Sequence, residues 1–336
     1  MNVYYPVYYK DFRCLAGACP DSCCKEWTVD VDPASAAFYR QLPGDLGDRL
    51  RSVLNEEDGV TIMTIEDGRC PMWRQDGLCR IQAELGHDTL CQTCRDYPRL
   101  RHDYGDFVEL GLELSCPEAA RLILSGTSEI ICDTRPGGDT GEYDSEVMAT
   151  LLKSRQAVLD FLDSGEAMPK KLAAILLYAH SIQAELDGAE PQPLNPADCL
   201  AAADRYAGNG DMEAVFAFFR ELEILTPQWQ DLLDRGPKDI LWSPQLQAVA
   251  RYLVQRYWLQ AVSDFDLVCR VKLILVSCLL VGALDSDLSH TAQLFSKEIE
   301  NDPDNIEAIL DGAYTSPAFT DANLLALLLA KNAKTP

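Results

Sequence analysis

Apolar and polar positions divide this chain into two regimes. Up to about residue 125 the apolar runs are short. Residues 60–65 set Val60, Ile62 and Ile65 beside Thr61 and Thr64. Residues 107–114 alternate, with Val108, Leu110, Leu112 and Leu114 on one face and Glu109 and Glu113 on the other. A period of two predicts strands there, and a third extended segment is expected at 27–31. Helices are expected over 32–42 and 81–91. Residues 126–143 are rich in glycine and turn formers and read as a linker. Beyond them the chain reads as helical almost throughout. Asn195-Pro196, Thr226-Pro227, Ser243-Pro244 and Asp302-Pro303 each place a capping side chain before a proline at a first helical position. Gly165, Gly208 and Gly236 stand where helices can stop, and residues 187–198 form a second connection. Residues 265–284 are apolar nearly all round, which predicts a central buried helix.

Composition changes this picture little. The chain has 336 residues, enough for about two domains, and its 47% apolar content is ordinary for a protein with a sizeable core. The formal net charge of −24 repels nucleic acid. Such a surface keeps a protein in solution and also attracts a basic segment, such as a lysine-bearing protein. The first residues, MNVYYPVYYKDFRC, lack a basic stretch followed by an apolar one, so no signal peptide is expected. The longest apolar stretch, 273–284, is interrupted by Ser277 and Gly282. It is shorter than the roughly 20 residues a bilayer requires. A cytoplasmic protein without a membrane partner is expected.

The cysteines change the picture most. Of thirteen, ten lie in the first 132 residues and eight between Cys14 and Cys94. They run Cys14-x4-Cys19-x3-Cys23-Cys24, then Cys70-x8-Cys79, then Cys91-x2-Cys94. In a reducing compartment such clustering favours a soft metal over disulfides. Cys19-x3-Cys23 and Cys91-x2-Cys94 have the spacing of zinc pairs, and a four-iron cluster also takes four thiolates. The surplus thiols leave room for a second site or for buried structural thiols. Pro71 and Asp76-Gly77 predict a tight loop that brings Cys70 and Cys79 together. Cys91 and Cys94 are expected at a helix end. Cys116, at the end of the third strand, stands in reserve. Cys132 falls in the linker. Cys199, Cys269 and Cys278 sit in apolar helical runs, where cysteine acts as a small hydrophobe. The expected fold is therefore α+β, mainly α: a small cysteine-rich metal-binding domain over 1–125, the linker, and an all-helical domain over 144–336.

Around the thiols lie Arg80, Arg95, Arg99, Arg101 and His102. They offset the charge of metal-bound thiolates, clamp a carboxylate or phosphate of a small molecule (Arg95 and Arg99 being the pair placed to bind a cofactor), or form surface ion pairs. His87 and His102 read as ordinary polar residues, as do His180 and His290. Several signatures are missing: a strand–GxGxxG–helix unit, a GxxxxGK[ST] loop, HExxH and GxSxG. The Cys-x3-Cys-x2-Cys triad of radical enzymes is also missing, because its third position here is Glu26.

These residues together resemble the flagellin lysine-N-methylase family of bacteria. The likeness begins at YYPVYYKDFRC and continues through Cys19-Pro-Asp-Ser-Cys23-Cys24-x2-Trp27, Cys70-Pro71 and Gly77-Leu78-Cys79-x-Ile81. It runs on through Leu85-Gly86, Leu90-Cys91-x-Thr93-Cys94, Tyr97-Pro98-Arg99 and Ser115-Cys116-Pro117-Glu118-Ala119, and is looser around 251–280. The order of cysteines also resembles a broader group of zinc- or iron-chelating domains. The resemblance implies methylation of lysine ε-amines on flagellin, with S-adenosylmethionine as donor and a [4Fe-4S] cluster. It implies ligands among Cys19, Cys23, Cys70, Cys79 and Cys94, with Cys14 and Cys24 next; its pattern does not require Cys91. For such chemistry Asp21, Glu26, Asp96 and Tyr97 are candidate proton acceptors, and Trp27, Trp73 and Tyr97 candidate walls for the lysine stem. The alternative reading is a non-enzymatic zinc- or iron-chelating protein whose helical half binds a partner.

Overall fold

A computed structural model describes residues 1–25, 27–125, 129–192, 194–206 and 208–330. It is mainly helical, 57% helix against 11% strand. The strands are β1 (Asn2–Pro6), β2 (Val29–Asp30), β3 (Leu54–Glu57), β4 (Val60–Met63), β5 (Arg99–Asp103), β6 (Phe107–Leu112) and β7 (Ile130–Thr134). The first helices are α1 (Pro33–Gln41), α2 (Gly44–Val53), α3 (Arg80–Leu85), α4 (Gln92–Asp96) and α5 (Pro117–Ser125). Then follow α6 (Ser145–Leu162), α7 (Met168–Leu186), α8 (Leu200–Ala203), α9 (Met212–Arg220) and α10 (Pro227–Asp234). The last are α11 (Pro244–Tyr257), α12 (Leu267–Leu284), α13 (Leu288–Phe295), α14 (Pro303–Thr315) and α15 (Asp321–Leu328).

Two sheets sit in the first part of the chain. One has the order β5-β6-β1-β7, with β1 parallel to β6 and antiparallel to β7. The other is antiparallel, in the order β2-β4-β3. The three strands expected from alternation are present, trimmed to β2, β4 and β6. The stretch expected as a linker contributes β7, whose Ile131 pairs with Tyr5 and Ile130 with Pro6. The helix expected over 81–91 ends at Leu85, because Gly86 turns the backbone to φ 95°, a region glycine enters without steric cost. A short 3-10 turn, His87–Thr89, follows.

Two cores organise these elements. A small one joins Val29, Tyr39, Leu50, Met63, Met72, Ile81 and Leu90, with Cys70 and Cys91 among them. The large one runs from Tyr8 and Phe12 through Leu112, Leu114 and α5 to Leu328, so the β5-β6-β1-β7 sheet packs on the helical half. Both faces of β6 are therefore covered. The carboxylates of Glu109 on β6 and of Glu113 just beyond it are both engaged: Arg155 on α6 donates to Glu109 (2.8 Å), and Ser115 donates to Glu113 (3.1 Å).

The helical half follows the caps read from its sequence. Thr226, Ser243 and Asp302 each accept a backbone N–H at the start of α10, α11 and α14. Asn195 closes a capping box on the 3-10 turn Pro196–Cys199. Helix α12 reaches back to Leu267, so at 18 residues it is long and apolar enough to cross a membrane, unlike the shorter apolar stretch its sequence suggested. Every one of its residues is buried inside the fold. Its two cations are satisfied: Arg270 donates to Asp264 (2.9 and 2.8 Å), and Lys272 donates to the Ala313 carbonyl (2.9 Å). Cys199, Cys269 and Cys278 are buried in this half, and Cys132 is exposed on β7.

Candidate functional site

The loops that carry cysteine are drawn together by backbone geometry. The Cys70–Cys79 turn closes through Gly77 N–H to Arg74 O (3.0 Å), Arg74 N–H to Leu78 O (2.9 Å) and a bridge between Trp73 and Cys79. Gly77 holds φ +78°, and a Cβ there would stand 3.1 Å from the Cα of Gly17. Only a glycine lets this turn seat against the Ala16–Ala18 loop, which lies between Cys14 and Cys19. Cys70 N–H donates to Cys24 O (2.8 Å), tying a third segment in. Cys91 does not end a helix, as its position suggested, but is the N-cap of α4. Asp32 fixes that helix to α1: its carboxylate accepts from Ser35 N–H (3.0 Å) and Gln92 N–H (2.8 Å).

Six thiols, Cys23, Cys24, Cys70, Cys79, Cys91 and Cys94, line one small space of about 30 Å³; Cys70 and Cys91 are buried there and Cys23 is exposed. Its other walls are apolar or aromatic, including Trp27, Tyr39, Met63 and Tyr97. Of the seven cysteines expected as ligands, five, Cys23, Cys24, Cys70, Cys79 and Cys94, line this space, and Cys14 and Cys19 do not. Cys91, which the family pattern did not require, stands with them. The thiols come from four separated segments, so sequence spacing alone did not bring Cys91 forward. Among the described residues no three His, Cys, Asp or Glu side chains form a ready coordination shell. The donor set is nonetheless wholly sulfur in a water-poor space, the chemistry that suits zinc or an iron–sulfur cluster.

Thiol protonation follows from two close pairs. The Cys23 thiol donates to Cys24, which lowers the Cys24 pKa and raises that of Cys23. Cys94 stands in the same relation to Cys91: its thiol bond lowers Cys91, and Cys94 rises. Burial pushes Cys70 up to about 12 and also raises Cys79. A metal binds thiolates, so its binding releases protons from this pocket.

A larger cavity of about 910 Å³ opens directly against the small space. Cys23, Cys24, Cys79, Cys94, Trp27, Leu90 and Tyr97 line both. Cys14, Cys19 and Cys116 line the larger cavity alone. Its far wall comes from the helical half and is acidic, with Glu223, Glu298, Asp302 and Asp304 facing across to Glu118 and Asp21. Lys297, Arg13 and Arg99 are the cations of the same lining.

The candidate side chains separate on this geometry. Asp21 is tied to Lys25 (2.6 Å), Lys297 (3.4 Å) and Gln293 (3.0 Å). Burial opposes its ionisation, but these donors outweigh burial and hold its carboxyl below the usual range. Asp96 lies at the end of α4 beside Arg95 (3.8 Å), both substantially exposed, and outside the cavity lining. Tyr97 lines the cavity; burial pushes its phenol well up, and its hydroxyl meets Ser115 Oγ (3.2 Å). Glu26 lies outside the described residues. Of the basic patch, Arg99 reaches the cavity and stacks over Phe12, 5.1 Å from the ring centre. Arg80 pairs with Asp45 and Glu84, and Arg101 with Asp103, on the surface. His87 borders the cavity, whereas His102 lies half-buried elsewhere, its pKa lowered by desolvation and by Arg256. Trp73 lies outside both spaces, under the guanidinium of Arg69 at 3.6 Å.

The Asp32 contact carries a pH signature. Its backbone donors, Gln92 first, lower the carboxyl to about 2 in the folded chain, against about 3.9 unfolded. The depressed value means the stabilisation is present above pH 4 and is lost as pH falls from about 4 towards 2. Asp32→Asn is therefore expected to lower the thermal midpoint at pH 7, with the difference from wild type closing towards pH 2. Melting curves across that range check it.

No family model matches this chain, and no solved structure matches it. It is 32% identical over 133 residues to the flagellar biosynthetic protein FliU of Salmonella muenchen. That match covers 37% of this chain and 78% of FliU. It is also 32% identical, over 133 residues, to the lysine-N-methylases of Salmonella choleraesuis and Salmonella typhimurium. There the match spans 33% of each relative, about a third of their length.

Proposed function

The chain belongs to the family of FliU and the lysine-N-methylases, and on that premise we propose that it methylates lysine ε-amines of flagellin. The observation that carries this reading is the thiol-walled, acid-rimmed cavity of about 910 Å³. A lysine-bearing segment is cationic, and the acidic wall of α14 and its neighbours attracts it. Trp27 and Tyr97 pack on each other, ring centres 6.3 Å apart, and both line the cavity, where an aromatic surface attracts an ammonium or sulfonium charge.

S-adenosylmethionine is the proposed methyl donor, with Arg99 the cavity cation facing its carboxylate. The proposed metal group is a [4Fe-4S] cluster, with zinc as the other metal the sulfur set suits. It would be held by four thiolates among Cys23, Cys24, Cys70, Cys79, Cys91 and Cys94. When bound, either group joins separated segments into one fold, and a cluster adds one-electron chemistry.

A lysine amine attacks a methyl group only when neutral. With a pKa of about 10.4, only about one amine in a thousand is neutral near pH 7.5. Removing that proton ahead of transfer is worth about 4 kcal/mol at 1.36 kcal/mol per pH unit. The protein's own groups must supply the acceptor.

Purified flagellin incubated with the metal-loaded chain and S-adenosylmethionine labelled in its methyl group tests the reading. Label on flagellin lysines is expected. A metal-loaded chain that binds flagellin but leaves its lysines unlabelled would overturn methylation in favour of a binding protein.

A further inference from the structure

One half-buried carboxylate near the cavity lines neither space. Glu113 follows β6, deep against the helical half. Among the described residues it forms no ion pair within 4 Å. Arg256, Tyr252 and Tyr257 face it from α11, Glu300 from the turn after α13, and Tyr97 from the segment before β5. Arg256 is already committed, donating to the Tyr252 hydroxyl (2.6 Å) and lying 3.4 Å from Glu300. What Glu113 does have is one hydroxyl aimed at it, from Ser115 (3.1 Å).

That hydroxyl is the middle of a chain. Ser115 is 4% exposed and donates its proton to Glu113, so its oxygen is left to accept. The group beside that oxygen is the Tyr97 hydroxyl at 3.2 Å, which must then be the donor. The order Tyr97 O–H to Ser115 O–H to Glu113 carboxylate is consistently oriented. Tyr97 and Ser115 both line the large cavity, and Tyr97 also lines the thiol space, so the chain begins at the cavity wall. Backbone bonds hold the chain in register: Glu113 N–H donates to Pro98 O (2.8 Å), and Gln293 donates to Ser115 O (2.8 Å).

We propose that Tyr97, Ser115 and Glu113 form the relay that takes the proton from the substrate lysine before methyl transfer, with Glu113 as the terminal acceptor. This rests on the methylase reading. The ammonium passes one proton to the Tyr97 oxygen as the Tyr97 proton moves to Ser115 and the Ser115 proton to Glu113. No bond between heavy atoms changes. The amine ends neutral, Tyr97 and Ser115 end as they began, and Glu113 ends as a carboxylic acid. Once product leaves, water in the cavity takes the proton back along the same route. Burial, together with Glu300, raises Glu113 above the ordinary carboxylate range against the pull of Arg256 and Ser115, which makes it a better acceptor near neutral pH. Asp21, the carboxylate nearer in sequence to the cysteines, is engaged by Lys25, Lys297 and Gln293. Only Tyr97 touches substrate in this scheme; Ser115 and Glu113 act through it.

The test is the pH dependence of methyl transfer to purified flagellin by the metal-loaded full chain. Glu113→Gln, Ser115→Ala and Tyr97→Phe each break the relay at a different atom, and Ser115→Ala removes one oxygen alone. All three are expected to lower kcat at pH 7.5 by at least about 100-fold. Their rates should climb with pH on one shared profile as the amine ionises unaided, closing on wild type above about pH 10. A structural role would lower the rate equally at every pH. A Glu113→Gln or Ser115→Ala profile that keeps the wild-type shape overturns the relay while leaving methylation in place. A wild-type chain that transfers no methyl group at any pH overturns the methylase reading, and the relay with it.

Discussion

Cys94→Ser is expected to strip the protein of its metal and to unfold the small core around it. Cys94 lines both the small thiol space and the open cavity, and it bonds to the Cys91 thiol. The small core is thin: Cys70 and Cys91 are themselves two of its buried members, and Cys24, Cys79 and Cys94 pack on its edge. A thiol-bound group would join these segments further, since a structural metal site of this kind adds about 10–16 kcal/mol to what the core itself supplies. A serine hydroxyl is a poor ligand for a soft metal, so most of that stabilisation goes. Metal content and near-ultraviolet circular dichroism of Cys94→Ser and Cys70→Ser check it. Cys278→Ala, in the heart of α12, is expected to leave metal content unchanged, because no thiol of that helix lines the thiol-walled space. Full metal retention in Cys94→Ser would contradict the assignment.

Arg256→Met is expected to destabilise the helical half by about 3–5 kcal/mol, the range for removing one partner of a buried ion pair. The Glu300 side chain is wholly buried and that of Arg256 is 11% exposed. Glu300 accepts from Tyr252 and Tyr257 hydroxyls at 3.0 Å each, and among the described residues Arg256 is the cation that pairs with it. Methionine fills the space but leaves the carboxylate uncompensated. The pairing of Arg256→Met with Glu300→Gln should recover much of the loss, since both charges are then gone. Urea unfolding of the single and double variants measures this. A single-variant loss below about 1 kcal/mol would mean that the tyrosine hydroxyls alone satisfy Glu300.

These expectations rest on features that differ in how far they can be read from sequence. Helix starts were legible because they are local. Asn195, Thr226, Ser243 and Asp302 each cap within three residues, where the Asn-Pro, Thr-Pro, Ser-Pro and Asp-Pro pairs put them. The buried α12 was legible because every face is apolar. The mixed sheet was not, since β1 meets β6 and β7 across more than a hundred residues, and short strands carry no signal of their distant partners. Helix α2 was missed although Leu46, Leu50 and Val53 are spaced four and three apart on one buried stripe. That pattern would have found it.

The candidate site divides the same way. Clustering pointed to thiols, and the thiols of four segments do share one space. Which of them share it depended on the Gly77 turn and on Asp32 tethering α4, both tertiary facts. Cys91 was undervalued and Cys14 and Cys19 lie on the open side for that reason. Alternation along β6 marked Glu109 and Glu113 as a polar face, which is right, but that face packs on helices rather than on water. The relay end at Glu113 follows from this difference, and its only sequence trace is a carboxylate two residues before Ser115.

The central claim is that sulfur atoms from distant segments gather around one inorganic group at the floor of the large cavity. Iron, acid-labile sulfide and zinc measured per chain on oxygen-free purified protein test it most directly. The account predicts about four irons and four sulfides per chain, with a broad visible absorption that Cys94→Ser abolishes. A folded, colourless wild-type chain with neither iron nor zinc would contradict it.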